Sequence, residues 1–142
     1  PETISLALTA AETGHLVLAS LHSRSATSSI ERIVDAYPPE RQFQIRVQLA
    51  DSLRAVVSQR LLLRANGVGR VPAVEVLRGN HTIASLIREG KTAQIPSVLQ
   101  SSRKEGMLTL EKCLADLFKK GDAKANVMLM PGDVIIIPES IF

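Results

Sequence analysis

The sequence has no tryptophan, one tyrosine, three phenylalanines and a single cysteine in 142 residues. With aromatics at 3%, the core has to be aliphatic, and base-stacking recognition of single-stranded nucleic acid has almost nothing to work with. One thiol, Cys113, excludes an internal disulfide and a thiolate cluster for zinc. No apolar run approaches the roughly 18 residues of a membrane-spanning helix, and no secretory leader is visible. Charge of one sign is also scarce. Seventeen Lys and Arg face 14 Asp and Glu, for a net +3, and the basic residues are scattered rather than bunched. No nucleic-acid partner is expected from such a surface.

What is present is ordinary for one globular domain: 45% hydrophobic and 22% charged residues, too apolar for a disordered chain. The chain opens on proline and is expected to be a processed chain or a fragment. Cytoplasmic placement is the expectation.

Pro1-Glu2-Thr3-Ile4 reads as a helix start, with Ile4, Ala7, Leu8 and Ala11 on one face and Gly14 as the stop. Leu16-Val17-Leu18-Ala19 is a short continuous apolar run, the pattern of a strand buried on both faces in a parallel sheet. A Ser-rich stretch, 23–29, offers caps for a helix carrying Ile30, Ile33, Val34 and Tyr37; Ser28 and Glu31 have capping-box spacing. Pro38-Pro39 ends this helix and opens another, expected over 40–59, with Ile45, Leu49, Leu53 and Val56 in one stripe and Phe43, Val47, Ala50 and Val57 beside it.

Apolar runs at 60–64 and 70–77 flank Asn66-Gly67, a hairpin signal. Asn80 caps a short helix holding Ile83, Leu86 and Ile87, stopped by Gly90. Ile95-Pro96 leads to a helix with Val98 and Leu99 inward. Met107, Leu110, Leu114 and Leu117 mark a last helix ending at Gly121. Beyond it, 127–130 and 134–137 around Pro131-Gly132-Asp133 predict a β-hairpin. There is no internal repeat.

Catalytic motifs are sparse. No glycine-rich phosphate loop followed by Lys-Ser or Lys-Thr exists, no metal-ligand spacing appears, and no nucleophile elbow is present. His22 sits just past the apolar run of 16–19, at the strand end where open α/β sheets place ligands. It reads either as a donor to a phosphate oxygen or an attacking water, or as a structural histidine satisfying a loop carbonyl. For His15 the structural reading is favoured. Arg88 and Glu89 read either as a solvated helix end or as a contact with a neighbouring subunit. Cys113 reads as a small packing or surface residue.

The stretch Pro1-Glu2-Thr3-Ile4-Ser5-Leu6-Ala7-Leu8-Thr9-Ala10-Ala11-Glu12-Thr13-Gly14-His15-Leu16-Val17-Leu18-Ala19-Ser20-Leu21-His22 resembles the histidine-box region of PilT-like type IV pilus retraction ATPases. The resemblance continues through Val47-Gln48-Leu49-Ala50-Asp51-Ser52-Leu53, Ser58-Gln59-Arg60-Leu61-Leu62, Leu86-Ile87-Arg88-Glu89-Gly90-Lys91, Gln94-Ile95-Pro96-Ser97-Val98 and Arg103-Lys104-Glu105-Gly106-Met107. It implies an α/β fold, the C-terminal portion of a RecA-like domain over 1–121, helix-rich with a small sheet and hairpin. It implies a hexameric ring partnered with the pilus inner-membrane machinery, and ATP and magnesium as cofactors of the parent family. It also implies His22 as the nucleotide-sensing histidine, and Ile83, Leu86, Ile87, Arg88 and Glu89 as a retraction motif. That motif's helix is expected to be exposed and partner-facing rather than core. Thr82, Ala84 and Ser85 depart from the family pattern. The phosphate loop and acidic boxes of the family are absent from these residues, so no cofactor is expected for the isolated chain.

Residues 127–140, with Pro-Gly-Asp-Val-Ile, resemble the end of a β-grasp repeat in polysaccharide-export proteins, which sets 122–142 apart as a β-hairpin tail of separate origin. The resulting expectation is part of a retraction motor. The alternative is a non-catalytic, chimeric folded fragment or interaction module that binds no nucleotide alone.

Overall fold

The computed structural model describes residues 2–123. The predicted tail hairpin at 127–137 lies outside the described residues. Helix α1 (Glu2–Glu12) has Glu2 in its first turn, where a carboxylate meets the positive end of the helix dipole, and Gly14 follows at φ +93°. Helix α2 (Ala26–Asp35) is capped by Ser25, whose side chain accepts the Ser28 N–H while Ser28 accepts the Ser25 N–H. The capping box is therefore Ser25 with Ser28, three residues earlier than the Ser28–Glu31 spacing suggested. Helix α3 (Pro39–Ser52) begins on its proline, which needs no N–H partner in the first turn.

The helix expected over 40–59 stops early. Leu53 is already extended, with φ −63° and ψ 121°, and strand β1 (Ala55–Leu63) follows at once. No glycine or proline marks this boundary. It is set by pairing with strand β2 (Arg70–Arg78), antiparallel from Ala55 opposite Arg78 to Leu63 opposite Arg70. Val56 and Val57 continued the helical stripe by coincidence, and β-branched residues suit the pleated strand equally. Phe43, assigned to an inner stripe, is 65% exposed.

Helix α4 (His81–Arg88) is capped by Asn80, whose Oδ1 accepts the Ile83 N–H at 2.9 Å. A 3-10 turn (Thr92–Gln94) leads into α5 (Ile95–Ser101). A second 3-10 turn (Arg103–Glu105) precedes α6 (Leu110–Lys119), capped by Thr109. Met107 lies before this last helix and is buried, and Leu108 exchanges two backbone hydrogen bonds with Val76.

Two clusters hold the body together. The larger gathers Leu8, Ile30, Val34, Tyr37, Ile45, Leu49, Leu77, Ile83, Ile87, Ile95, Leu99 and Met107, so α1 to α5 share it with the inner face of β2. The smaller packs Leu62, Ala73 and Ala123 against Leu110, Cys113, Leu114, Leu117 and Phe118 of α6. No described residue in either cluster is a Trp or Phe with full burial, in line with an aliphatic core. Ala123 is buried and the Asp122 carbonyl accepts the Ala65 N–H at 3.1 Å, so the first residues past the expected boundary at 121 are held against the hairpin.

One expectation fails in this structure. Residues 15–23 form no strand; Leu16 is 81% and Leu18 88% exposed. Among the described residues the sheet has two strands, β1 and β2, and neither pairs with this run. A strand needs a neighbour for its N–H and C=O groups, and burial on both faces needs a layer on each side. Apolar content alone supplies neither.

Candidate functional site

The histidine-bearing loop, 13–25, runs from the end of α1 to the start of α2. At its first end, Thr13 Oγ1 lies 3.1 Å from His15 Nδ1, which also lies 3.3 Å from the Ala10 carbonyl. His15 is thus engaged in closing α1, as its structural reading required. At the other end His22 is exposed. Its carbonyl accepts from Arg32 Nη1 at 2.7 Å, which ties the loop to α2 while no hydrogen bond engages the imidazole among the described residues. The structural reading of His22, a ring satisfying a loop carbonyl, finds no such bond here.

Two features fix the start of α2 beside this loop. Ser25 and Ser28 cap it, and Ser29 Oγ donates to the Ser25 carbonyl at 3.0 Å. The Ala26 N–H donates to Oε1 of Glu75 at 2.7 Å, a carboxylate delivered by β2 from 49 positions away. A negative charge at a helix N-terminus is stabilised by the unpaired N–H groups and the dipole. Glu75 was not singled out in the sequence, although a lone acid between Val74 and Val76 in an apolar run is a signal that could have found it.

The second candidate element is α4. Ile83 and Ile87 are almost fully buried and Leu86 nearly so, and all three belong to the larger core cluster. This corrects the expectation of an exposed helix: the apolar half of the motif is core, because Ile83, Leu86 and Ile87 fall on one side at helical spacing. Its polar end is exposed. Arg88 Nη2 meets Asp51 Oδ1 at 2.8 Å, Ser85 Oγ donates to Glu89 Oε1 at 2.8 Å, and Lys91 Nζ lies 2.7 Å from Glu89 Oε2. Hydrogen bonding from Lys91, then from Ser85, holds the Glu89 carboxyl below its ordinary value, and Glu89 in turn raises Lys91. Ser85, a departure from the family pattern, therefore has a local use as the partner of Glu89.

No hydrogen bond or ion pair among the described residues joins the His22 loop to α4, so the structure does not bring the two sets of candidate residues into one constellation. Cys113 is half-buried, and its Sγ accepts the Val74 N–H at 3.3 Å, a packing role with one polar contact. No three His, Cys, Asp or Glu side chains converge to hold a metal ion among the described residues, and no described helix is long and apolar enough to cross a membrane. Set against a magnesium-bound triphosphate, these residues offer an exposed histidine and a helix N-terminus already occupied by Glu75. They do not by themselves make a nucleotide site, and no chemical step through one is derived.

The fold and the loop define a helix-rich α/β body with a histidine-bearing segment leading into a capped helix. The family model described as Type II/IV secretion system protein matches residues 1–75, and the chain belongs to that family. It is similar to the type IV pilus retractation ATPase PilT of Pseudomonas aeruginosa, 49% identical over 120 residues, covering 84% of this chain and 35% of the relative. It is also similar to a twitching motility protein of Neisseria gonorrhoeae, 48% identical over 121 residues, covering 85% of this chain and 32% of the relative.

Among solved structures, that of the pilus retraction motor PilT with bound ADP superposes with a TM-score of 0.77 at 43% identity, over 87% of this chain and 34% of that one. The chain spans about a third of the length of these relatives. A likeness to the ATPase DotB of Legionella pneumophila, TM-score 0.74 at 23% identity, over 87% of this chain and 33% of that one, shows the shared fold. The sequence resemblance to PilT-like ATPases and the helix-rich α/β class are thereby established.

Proposed function

We propose that this chain is the C-terminal part of the RecA-like motor domain of a hexameric, cytoplasmic ATPase that drives type IV pilus retraction. The observation that carries this reading is the identity of 49% over 120 residues to a retraction ATPase, a span far longer than any one motif. In this reading ATP and magnesium belong to the assembled motor, whose phosphate cradle and metal site are not among these 142 residues. The exposed imidazole of His22 reports on nucleotide from its loop. Its position next to the start of α2 lets a shift of the loop reach the helix through the Arg32 hydrogen bond. The exposed end of α4, Arg88 and Glu89, is the surface offered to a ring neighbour or to the inner-membrane machinery, with Ile83, Leu86 and Ile87 holding it in place. Residues 1–121 form the motor part and 122–142 a separate tail.

The test is His22→Ala at the chromosomal locus, read as twitching and surface pili. The expected result is loss of twitching with pili retained on the cell surface and unchanged protein level. Normal twitching with a stable variant overturns the reading.

A further inference from the structure

The outer edge of β1 has no partner strand among the described residues, and the last described residue, Ala123, is bridged to its end. Backbone direction along β1 comes from two bonds. Arg64 N–H donates to the Gly69 carbonyl, and the Arg54 carbonyl accepts from Gly79 N–H. Even-numbered residues of β1 therefore turn their main-chain groups toward β2, and Val57, Gln59, Leu61 and Leu63 turn theirs away. The side chains of Val57, Leu61 and Leu63 are 61%, 53% and 60% exposed. An edge of this length and apolarity is a template for another strand.

Ala123 forms an antiparallel bridge with Arg64, and Ala65 N–H donates to the Asp122 carbonyl. This bridge lies on the outward side of β1 and sets both direction and register for the residues after Ala123. Continued residue by residue, it places Lys124 opposite Leu63, Asn126 opposite Leu61, Met128 opposite Gln59 and Met130 opposite Val57.

We propose that residues 124–131 of this chain add to the outer edge of β1 as a third antiparallel strand, in the register set by the Arg64–Ala123 bridge. The sequence fits this register at three points. Met128 and Met130 fall on the face where Val57 and Leu61 are exposed. Ala125, Val127 and Leu129 fall on the inward face, in line with Leu62. Pro131 falls opposite Val56, whose groups face β2, so the ladder asks no N–H of the proline. A slip of one residue would exchange the two faces and place Pro131 opposite Val57, where an N–H is wanted. The proposal requires nothing of the motor reading. It assigns the edge to the chain's own segment and so removes it as a site for a second chain.

The test uses the full chain in a Cys113→Ser background. Ser58→Cys with Leu129→Cys faces two residues across a non-hydrogen-bonded pair, where the Cα separation suits a disulfide. Ser58→Cys with Met128→Cys puts the thiols on opposite faces. Mild oxidation is expected to give an intramolecular cross-link in the first pair at a yield at least about tenfold that of the second. Equal yields, or disulfide-linked dimers in place of monomers, overturn the proposal; dimers would assign the edge to a second copy.

Amide exchange in the unaltered chain gives an independent reading that no substitution can spoil. Val57, Gln59 and Leu61 N–H groups are expected to exchange at least about a hundredfold slower than unstructured amides. Fast exchange at all three overturns the proposal.

Discussion

Glu75 and Ala26 are 49 positions apart in sequence, and the carboxylate of the first accepts the backbone N–H of the second at 2.7 Å. The contact joins β2 to the N-terminus of α2, immediately after the loop that carries His22. It shares the start of α2 with the Ser25 cap. Glu75→Ala is expected to destabilise the chain by about 1–2 kcal/mol, the range for losing a cap or a charge at a helix N-terminus. Glu75→Gln, which keeps an acceptor, should lose less. Chemical denaturation of the three proteins decides it, and equal midpoints for all three would show that the contact contributes nothing.

Gly79 is required by a close approach. A Cβ there would lie 2.1 Å from the Leu53 carbonyl oxygen, a backbone atom, and the Gly79 N–H donates to the Arg54 carbonyl at 2.8 Å. The turn from β2 to α4 thus passes directly over the end of α3. Gly79→Ala forces one of these backbones to shift and is expected to cost on the order of 2–4 kcal/mol, in the overpacking range. Thermal melting tests this, with Gly121→Ala as a comparison of different origin: nothing lies near its Cβ position, but its φ is +70°. An unchanged melting temperature in Gly79→Ala would show that the backbone yields there at no cost.

In α4 the polar and apolar halves should separate energetically. The Arg88–Asp51 pair is exposed, 39% and 57% at the two side chains, and exposed ion pairs contribute about 0–1 kcal/mol. Arg88→Ala should change the melting temperature little. Ile87→Ala, at a site 1% exposed, should cost about 2–5 kcal/mol. A loss of twitching in Arg88→Ala with unchanged melting would then place its role in recognition rather than in folding.

The Glu89–Lys91 contact gives a pH prediction whose sign is fixed by its two shifts. Glu89 is lowered, so its stabilising contribution is present above the unfolded carboxylate value and is lost as pH falls through the lower folded value. Lys91 is raised, so its contribution is present below the unfolded ammonium value and is lost as pH rises through the higher folded one. Across the neutral range the pair is therefore constant. Lys91→Ala is expected to move the Glu89 titration, followed by NMR, upward toward the ordinary carboxylate value, because Lys91 is its largest cause. An unmoved midpoint would show that the pair does not form in solution.

The purified 142-residue chain is expected to release no phosphate from ATP and magnesium above a protein-free blank. Phosphoryl transfer needs a cradle for the triphosphate and a bound metal, and these residues contain no phosphate-loop sequence. Turnover that follows the protein through purification and vanishes in His22→Ala would contradict this.

Much of the local structure was legible because it is written in short-range chemistry. Asn80, Gly14, Gly90 and Gly121 each mark an end of a helix by capping or by a positive φ, and Asn66-Gly67 marks the hairpin. The candidate residues His22, Arg88 and Glu89 were legible through family resemblance. Their hydrogen-bond partners were not. Asp51 comes to Arg88 across 37 positions and Glu75 comes to Ala26 across 49, separations over which spacing carries no information.

The end of α3 and the state of the Leu16–Ala19 run show where the limit lies. Periodicity assigned apolar residues to faces, and that was enough for Ile30, Ile45, Ile83 and Ile95, all buried. It could not tell Val56 on a helix from Val56 on a strand, since both templates accept it. Nor could it say that Leu16 and Leu18 would lack a neighbouring strand. The sequence by itself determined the caps, the turns, the aliphatic core and the family. The tertiary structure decided which apolar segments are strands and which charges meet, because backbone pairing and long-range ion contacts exist only once distant segments are brought together.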